Sequence, residues 1–158
     1  MSETESITNK IYSKKIIGKR LARVMAVQCL YSINVEHAEG NIDDIIYNLI
    51  KTDYAEVGGT NLSALDEAHL IRLARGAFEN QTQLASGLQN FLAEDWKFNR
   101  LPKLMQAILL VGAYELKFLD KTKNAIVINE YLEIAKIFNH SGEVGFINSV
   151  LDRIMNNS

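Results

Sequence analysis

Proline is nearly absent from this chain, which has a single one, Pro102, among its 158 residues. Because proline costs about 3 kcal/mol in the interior of a helix, its near absence leaves long stretches in which helices can form without interruption. No alternation of apolar and polar residues, the pattern of a half-buried strand, persists along the sequence. With 47% apolar residues the chain can also bury a sizeable core. We therefore expect an all-α fold.

Two segments before the proline show helical periodicity. An apolar stripe at helical spacing covers residues 42–50, and Asn41 stands where its side chain can cap the first turn. Ser63, with Asp66 three residues later, indicates a second helix start, since oxygen atoms at these positions can accept from the first free N–H groups. Apolar residues then keep helical spacing over residues 70–88. This segment is expected to form the longest helix.

The segment after the proline is the most apolar part of the chain. Pro102 suits the first position of a helix, where its missing N–H would be unpaired anyway. Apolar residues then nearly encircle the helix, so we expect it to lie at the centre of the fold. Two further helices are expected near residues 125–138 and 143–155, separated by the turn-forming residues 139–142.

Positive charge is concentrated near the N-terminus. Six basic residues and no acidic one lie between Lys10 and Arg23, although the chain has a net charge of −2. A concentrated basic segment can neutralise several phosphates and release their counterions, so this asymmetry favours a nucleic-acid partner. Taken alone, the run is equally well explained as solvated surface. An organellar transit peptide is a less favoured alternative, because the segment continues into an apolar helical stretch without a cleavage-type break.

The same charge pattern suggests how the chain is divided. Residues 1–17 are expected to form a flexible basic arm, and residues 18–158 a single domain. Within that domain a loop around Gly58 and Gly59 is expected to connect an N-terminal helical half, about 18–57, to a C-terminal half, about 61–158. The glycine pair lacks the spacing of a phosphate-binding loop.

The sequence offers little catalytic chemistry. Its three histidines are far apart and lie in no metal-ligand spacing, so no metal site and no cofactor is expected. The single cysteine, Cys29, lies in an apolar stretch and fits a reducing cytoplasm. Glu115 and Glu130 lie among apolar residues and could form an acid and base pair, but without a nucleophile or metal they are more simply structural carboxylates bonded to backbone groups or to a basic partner. We expect a soluble cytoplasmic protein that is not an enzyme.

Two blocks of the sequence resemble the NusB family of transcription antitermination factors. Residues 18–31 read Gly-Lys-Arg-Leu-Ala-Arg-Val-Met-Ala-Val-Gln-Cys-Leu-Tyr and are similar to the opening of that family. Its C-terminal signature is matched, in order and spacing, by residues 113–116, 128–130, 134–136 and 146–152. The chain departs from the pattern at Gly18 and Lys19, where arginines are commoner, and at Ser149, where glycine is usual. It also lacks the proline that usually precedes the Ile-Asn-Glu element.

The resemblance implies a fold and a function. It implies a NusB-like bundle of two helical subdomains with about six to seven helices. It also implies binding to the boxA element of ribosomal RNA transcripts, together with the small-subunit ribosomal protein NusE and within the transcription elongation complex. Such RNA would be bound as a single strand, whose bases are free to stack on aromatic side chains. No membrane contact is expected, and a homodimer is left open.

The residues expected to bind RNA come from both blocks. Basic residues of the first block and of the arm are expected to contact phosphates. Polar and aromatic residues are expected to contact bases or to border the RNA surface. No residue is assigned to the protein partner. In chain order they are Lys14, Lys15, Lys19, Arg20, Arg23, Gln28, Tyr31, Phe146 and Asn148. The interpretation requires that the basic side chains are not all held in salt bridges by the chain's own carboxylates.

Other functions fit part of the pattern. A helical adaptor that binds only protein could use the basic arm to contact an acidic surface. A helical domain of this kind also forms the RNA-binding part of certain ribosomal RNA cytosine methyltransferases. Under this alternative the chain would be a stand-alone relative of that domain, because 158 residues leave no room for a cofactor-binding domain. A small enzyme using Glu115 and Glu130 is the least favoured alternative.

Overall fold

The computed structural model describes residues 3–35, 41–51, 56–57, 60–61, 64–119 and 124–157, with side chains described for 17–35, 41–51, 64–119 and 124–157. Within these residues the chain forms seven α-helices and one antiparallel pair of two-residue strands, which confirms the expected all-α fold. The elements are α1 (Glu3–Val35), α2 (Ile42–Lys51), β1 (Glu56–Val57), β2 (Thr60–Asn61), α3 (Glu67–Glu79), α4 (Gln81–Gln89), α5 (Lys103–Phe118), α6 (Asn124–Ile137) and α7 (Val144–Asn156).

Helices α1 and α5 lie at the centre of the bundle. Helix α1 packs against α2, α3, α5 and α6, while α5 packs against α1, α3, α4, α6 and α7. Every residue of α5 from Met105 to Leu116 is buried except Tyr114, which confirms that the helix after the proline is central. Pro102 itself precedes the helix in an extended conformation, and its carbonyl accepts from the N–H of Gln106. All seven helices contribute to one apolar core.

The expected long helix over residues 70–88 is wrong, because the chain divides it into α3 and α4 at Asn80. The side-chain amide of Asn80 donates to the carbonyl of Gly76 at 2.8 Å, and the backbone N–H of Asn80 donates to the same carbonyl at 3.1 Å. Asparagine side chains compete in this way with helical hydrogen bonds, so they favour helix ends. The longest helix is α1 instead.

Hydrogen bonds from local side chains or backbone groups cap several helix ends. The Asn41 side chain accepts from the N–H of Asp44 at 2.9 Å, as expected for α2. Helix α3 is capped by Asp66, whose side chain accepts from the N–H of His69 at 3.0 Å, so the expected start at Ser63 is wrong by three residues; Ser63 itself lies outside the described residues. Helix α6 ends in a Schellman motif in which Asn139 has a φ of 64°, so the expected break between the last two helices is confirmed.

The expected division of the chain at residue 17 and the expected loops are not tested by the described residues. Helix α1 passes through residue 17 without a break, and the division of the chain at that point stays a prediction. The glycines of the expected connecting loop, Gly58 and Gly59, lie outside the described residues, as does the segment 121–123 before α6. None of the helices described is both long and apolar enough to cross a membrane.

Candidate nucleic-acid interface

The second half of α1 is enclosed by its neighbours. Residues 21–27 are all buried, and this run includes the charged residue Arg23, which is only 8% exposed. Lys19 is half-buried and Arg20 is exposed, although Gly18 next to them is buried and its carbonyl accepts from the N–H of Asp66. A buried charge must be paired inside the protein, because removing it from water is costly.

Arg23 finds its partner on α5. Its guanidinium group binds the carboxylate of Glu115 through Nε, at 2.9 and 3.2 Å from the two oxygens, and through Nη2 at 2.7 Å. The hydroxyl group of Tyr131, on α6, donates to the same carboxylate at 2.7 Å. The three groups therefore join α1, α5 and α6 through one buried network.

The network fixes the charge state of Glu115. Burial alone would raise the pKa of this carboxyl group, but its neighbours His69, Arg23 and Tyr131 outweigh burial and lower the pKa to about 2. Burial likewise raises the pKa of the Tyr131 hydroxyl, so that it stays a donor. The His69 ring nitrogen Nε2 is buried 3.8 Å from a Glu115 oxygen, beyond hydrogen-bond distance, and makes no hydrogen bond to any described residue, so its contact with this carboxylate is weaker than those of Arg23 and Tyr131.

Arg20 is paired in a different way. Its Nε and Nη2 atoms donate to the two oxygens of Glu130 at 2.9 and 3.0 Å, so α1 is also fastened to α6. The hydrogen bond to Glu130 raises the pKa of Arg20. Whereas the Glu130 side chain is 9% exposed, that of Arg20 is 46% exposed. Nearly half of the Arg20 side chain is therefore open to solvent.

These pairs correct part of the expected phosphate-binding set. Arg23 does not suit a direct phosphate contact, because its guanidinium group is buried and held by Glu115; its observed role is to hold α1 against α5. The Arg20 side chain remains 46% exposed, and Lys19 makes no ion pair with any side chain that the structure describes. Lys14 and Lys15 lie on α1, but their side chains are outside the described set. The structural interpretation of Glu115 and Glu130, as carboxylates bound to a basic partner, is confirmed.

Gln28 and Tyr31 lie further along α1. Gln28 is half-buried, and the Tyr31 side chain is 40% exposed. At 1.5 Å per residue they are about 12 and 16 Å along the helix axis from Arg20. Because residues 21–27 between them are buried, Arg20 and Tyr31 do not lie on one continuous exposed strip in the part of α1 whose side chains are described.

Phe146 and Asn148 lie on α7, where Asn148 is exposed and Phe146 is half-buried against the core. The Phe146 ring also contacts Trp96, with 5.4 Å between ring centroids and 34° between ring planes. Trp96 was not among the residues selected from the sequence. The sequence does single out this residue, since a tryptophan within the polar run Glu94–Lys97 does not belong to an apolar helical stripe.

No group of three or more histidine, cysteine, aspartate or glutamate side chains suited to a metal ion occurs in the described part of the chain. Cys29 is buried, as expected, and burial raises the pKa of its thiol to about 12.

Comparison with known proteins identifies the family. The NusB family model matches residues 20–156. Transcription antitermination protein NusB of Caulobacter vibrioides is 38% identical over 141 residues, which cover 89% of this chain and 93% of the relative. The NusB protein of Rickettsia akari is 37% identical over 147 residues, covering 90% of this chain and 94% of the relative.

Solved structures agree on the fold. NusB of T. maritima, 24% identical, superposes with a TM-score of 0.71 over 87% of this chain and 90% of that one. A chain from a complex of antitermination factors NusB and NusE with double-stranded RNA, 19% identical, superposes with a TM-score of 0.72 over 88% of this chain and 96% of that one. The NusB-like architecture agrees with the resemblance of residues 18–31 and of the C-terminal blocks. Because the family model and the curated relatives also match most of its length, the chain belongs to the NusB family.

Proposed function

We propose that the protein is a transcription antitermination factor that binds boxA-type RNA together with NusE, as part of the transcription elongation complex. The observation that carries this proposal is its similarity, over about 90% of its length, to curated relatives named as transcription antitermination proteins. The protein acts by binding, with no bond made or broken, and its place of action is the cytoplasm.

The RNA surface lies at the basic end of α1. Lys14, Lys15 and Lys19 contact phosphates, and Arg20, whose side chain is 46% exposed beside Glu130, adds a further contact. Gln28, Tyr31, Phe146 and Asn148 contact bases or border the RNA. The support for this assignment is the charge of the helix end, the exposure of Arg20, Tyr31 and Asn148, and the absence of an ion pair at Lys19 among the described side chains.

RNA and NusE strengthen each other's binding because each adds contacts to a shared complex. Thermodynamic linkage requires the effect to be reciprocal, so NusE should raise RNA affinity by the same factor as RNA raises NusE affinity. Typical coupling of this kind changes an affinity by about 5- to 150-fold.

A binding titration tests the proposal. Labelled boxA-like single-stranded RNA, a scrambled strand and a boxA duplex are each titrated with the protein, with and without NusE. Tighter binding of the boxA strand, enhanced by NusE, is the expected result. Its affinity should fall with salt at a log-log slope of roughly −0.7 per phosphate, or about −2 to −3 for three or four contacts. Equal affinity for every RNA, or a slope near zero, would contradict the proposal.

A protein-only adaptor is the second candidate. The observation that favours it is the pairing of Arg20 and Arg23 with carboxylates of the same chain, which reduces the positive charge available to RNA. The same titration separates the two, because an adaptor would show no preference for the boxA strand, with or without NusE.

A further inference from the structure

Trp96 is an exposed aromatic side chain on a well-anchored loop. It lies between α4 and α5 and is 48% exposed. The side-chain amide of Gln89 donates to the carbonyl of Trp96 at 2.7 Å and accepts from the N–H of Phe98 at 2.8 Å. Phe98 is buried, so the backbone on the C-terminal side of Trp96 is held in place. The ring is therefore presented to solvent by a fixed backbone.

The surroundings of Trp96 combine an aromatic support with positive charge. Phe146 contacts the ring from α7, and Arg153 of the same helix donates to the carbonyl of Phe91 at 3.2 Å, which ties α7 to this loop. Trp96 also borders an open depression of about 330 Å³ lined by Asp95, Trp96, Lys97, Arg100, Leu101 and Pro102. Two cations and one carboxylate line it, and neither cation forms an ion pair with a described side chain.

We propose that Trp96 is a stacking platform for a base of single-stranded RNA, with Lys97 and Arg100 contacting the neighbouring phosphates. The inference rests on the proposed function and extends its RNA surface to a loop that neither sequence block contains. Every base has a π-face that can stack on an exposed indole ring, and positive charge beside the ring complements the strand's backbone. Bases within a duplex are already stacked on each other, so the platform favours a single strand.

The tryptophan fluorescence of the protein can report on this contact directly, because Trp96 is its only tryptophan. Stacking of a base should quench its fluorescence as boxA single-stranded RNA is added to the unmodified protein, with the same midpoint as the anisotropy of labelled RNA. Trp96→Ala should weaken RNA binding by roughly 5- to 150-fold, the range of a lost base–aromatic stack. Trp96→Phe, which keeps a smaller ring, should weaken it less.

Tyr47→Ala is the matched control, since Tyr47 is 60% exposed on α2 and lies outside the proposed surface. It should leave RNA affinity unchanged, and thermal unfolding should show that all variants fold. If the unmodified protein binds boxA RNA without any change in fluorescence and Trp96→Ala binds equally well, the inference fails while the proposed function stands. If Trp96→Ala weakens binding to NusE in the absence of RNA, Trp96 is a protein contact and the inference is overturned. If the unmodified protein does not bind boxA RNA at all, the proposed function fails first.

Discussion

The guanidinium group of Arg20 donates to both oxygens of Glu130, at 2.9 and 3.0 Å, while nearly half of the Arg20 side chain remains exposed. A phosphate that approaches Arg20 therefore meets a cation whose charge is already shared with a carboxylate. Glu130 both positions Arg20 and competes with RNA for it.

Glu130→Gln should therefore raise RNA affinity. The amide can still accept a hydrogen bond from Arg20 but carries no charge, and partly exposed ion pairs of this kind contribute about 0.2–1 kcal/mol. We expect binding to tighten about 1.5- to 5-fold, measured by anisotropy at fixed salt. Glu133→Gln is the control, because Glu133 acts on Arg20 through charge alone and should have a smaller effect. Unchanged or weaker binding by folded Glu130→Gln would show that the pair does not compete with RNA.

Arg23→Ala should destabilise the fold. The substitution leaves Glu115 buried without its cation, and breaking a buried pair in this way typically costs about 3–5 kcal/mol. The free energy of unfolding from a urea titration measures the loss. Lys136→Ala removes an exposed pair with Glu133 and should cost less than about 1 kcal/mol. Similar losses in the two variants would contradict the structural role assigned to Arg23.

Stability should fall in acid because of Glu115. Its pKa is about 2 in the folded protein against an ordinary value of 4.5, so its stabilising contribution is complete above about pH 4.5. That contribution, on the order of 3 kcal/mol, is lost as the pH falls from about 4.5 through 2. Urea titrations between pH 6 and 2 measure it, and Glu115→Gln should show a shallower acid dependence. An equally steep dependence in the variant would assign the effect to other carboxyl groups.

Gly76→Ala should destabilise the contact between α3 and α5. A Cβ atom at this position would overlap the Tyr114 ring, which is itself stacked on Phe118. Overpacking of this kind costs about 1–3 kcal/mol, measurable as a lower denaturant midpoint. Gly87→Ala is the matched control: the new Cβ would make only ordinary contact, with Lys117, and the gain in helix propensity should stabilise α4 by up to about 1 kcal/mol. Adding Tyr114→Ala to Gly76→Ala should remove the overlap.

Much of the helical layout could be predicted from the sequence, because helix caps and breaks depend on near neighbours. Asn41 bonds a backbone group three residues away, and the turn after α6 is specified within residues 135–140. The central position of α5 followed from its nearly continuous apolar surface. The division at Asn80 was missed because the apolar periodicity continues across it, although the asparagine side chain ends the helix.

The sequence by itself determined an all-α chain with positive charge gathered at one helix and two blocks typical of the NusB family. Only the tertiary structure decided what that charge contacts. Arg23 and Arg20 meet Glu115 and Glu130, which lie 92 and 110 positions away, and Trp96 meets Phe146 from another part of the chain. Residue type fixes the sign of a charge or the presence of a ring, whereas the packing of helices decides whether that group faces a partner within the protein or solvent.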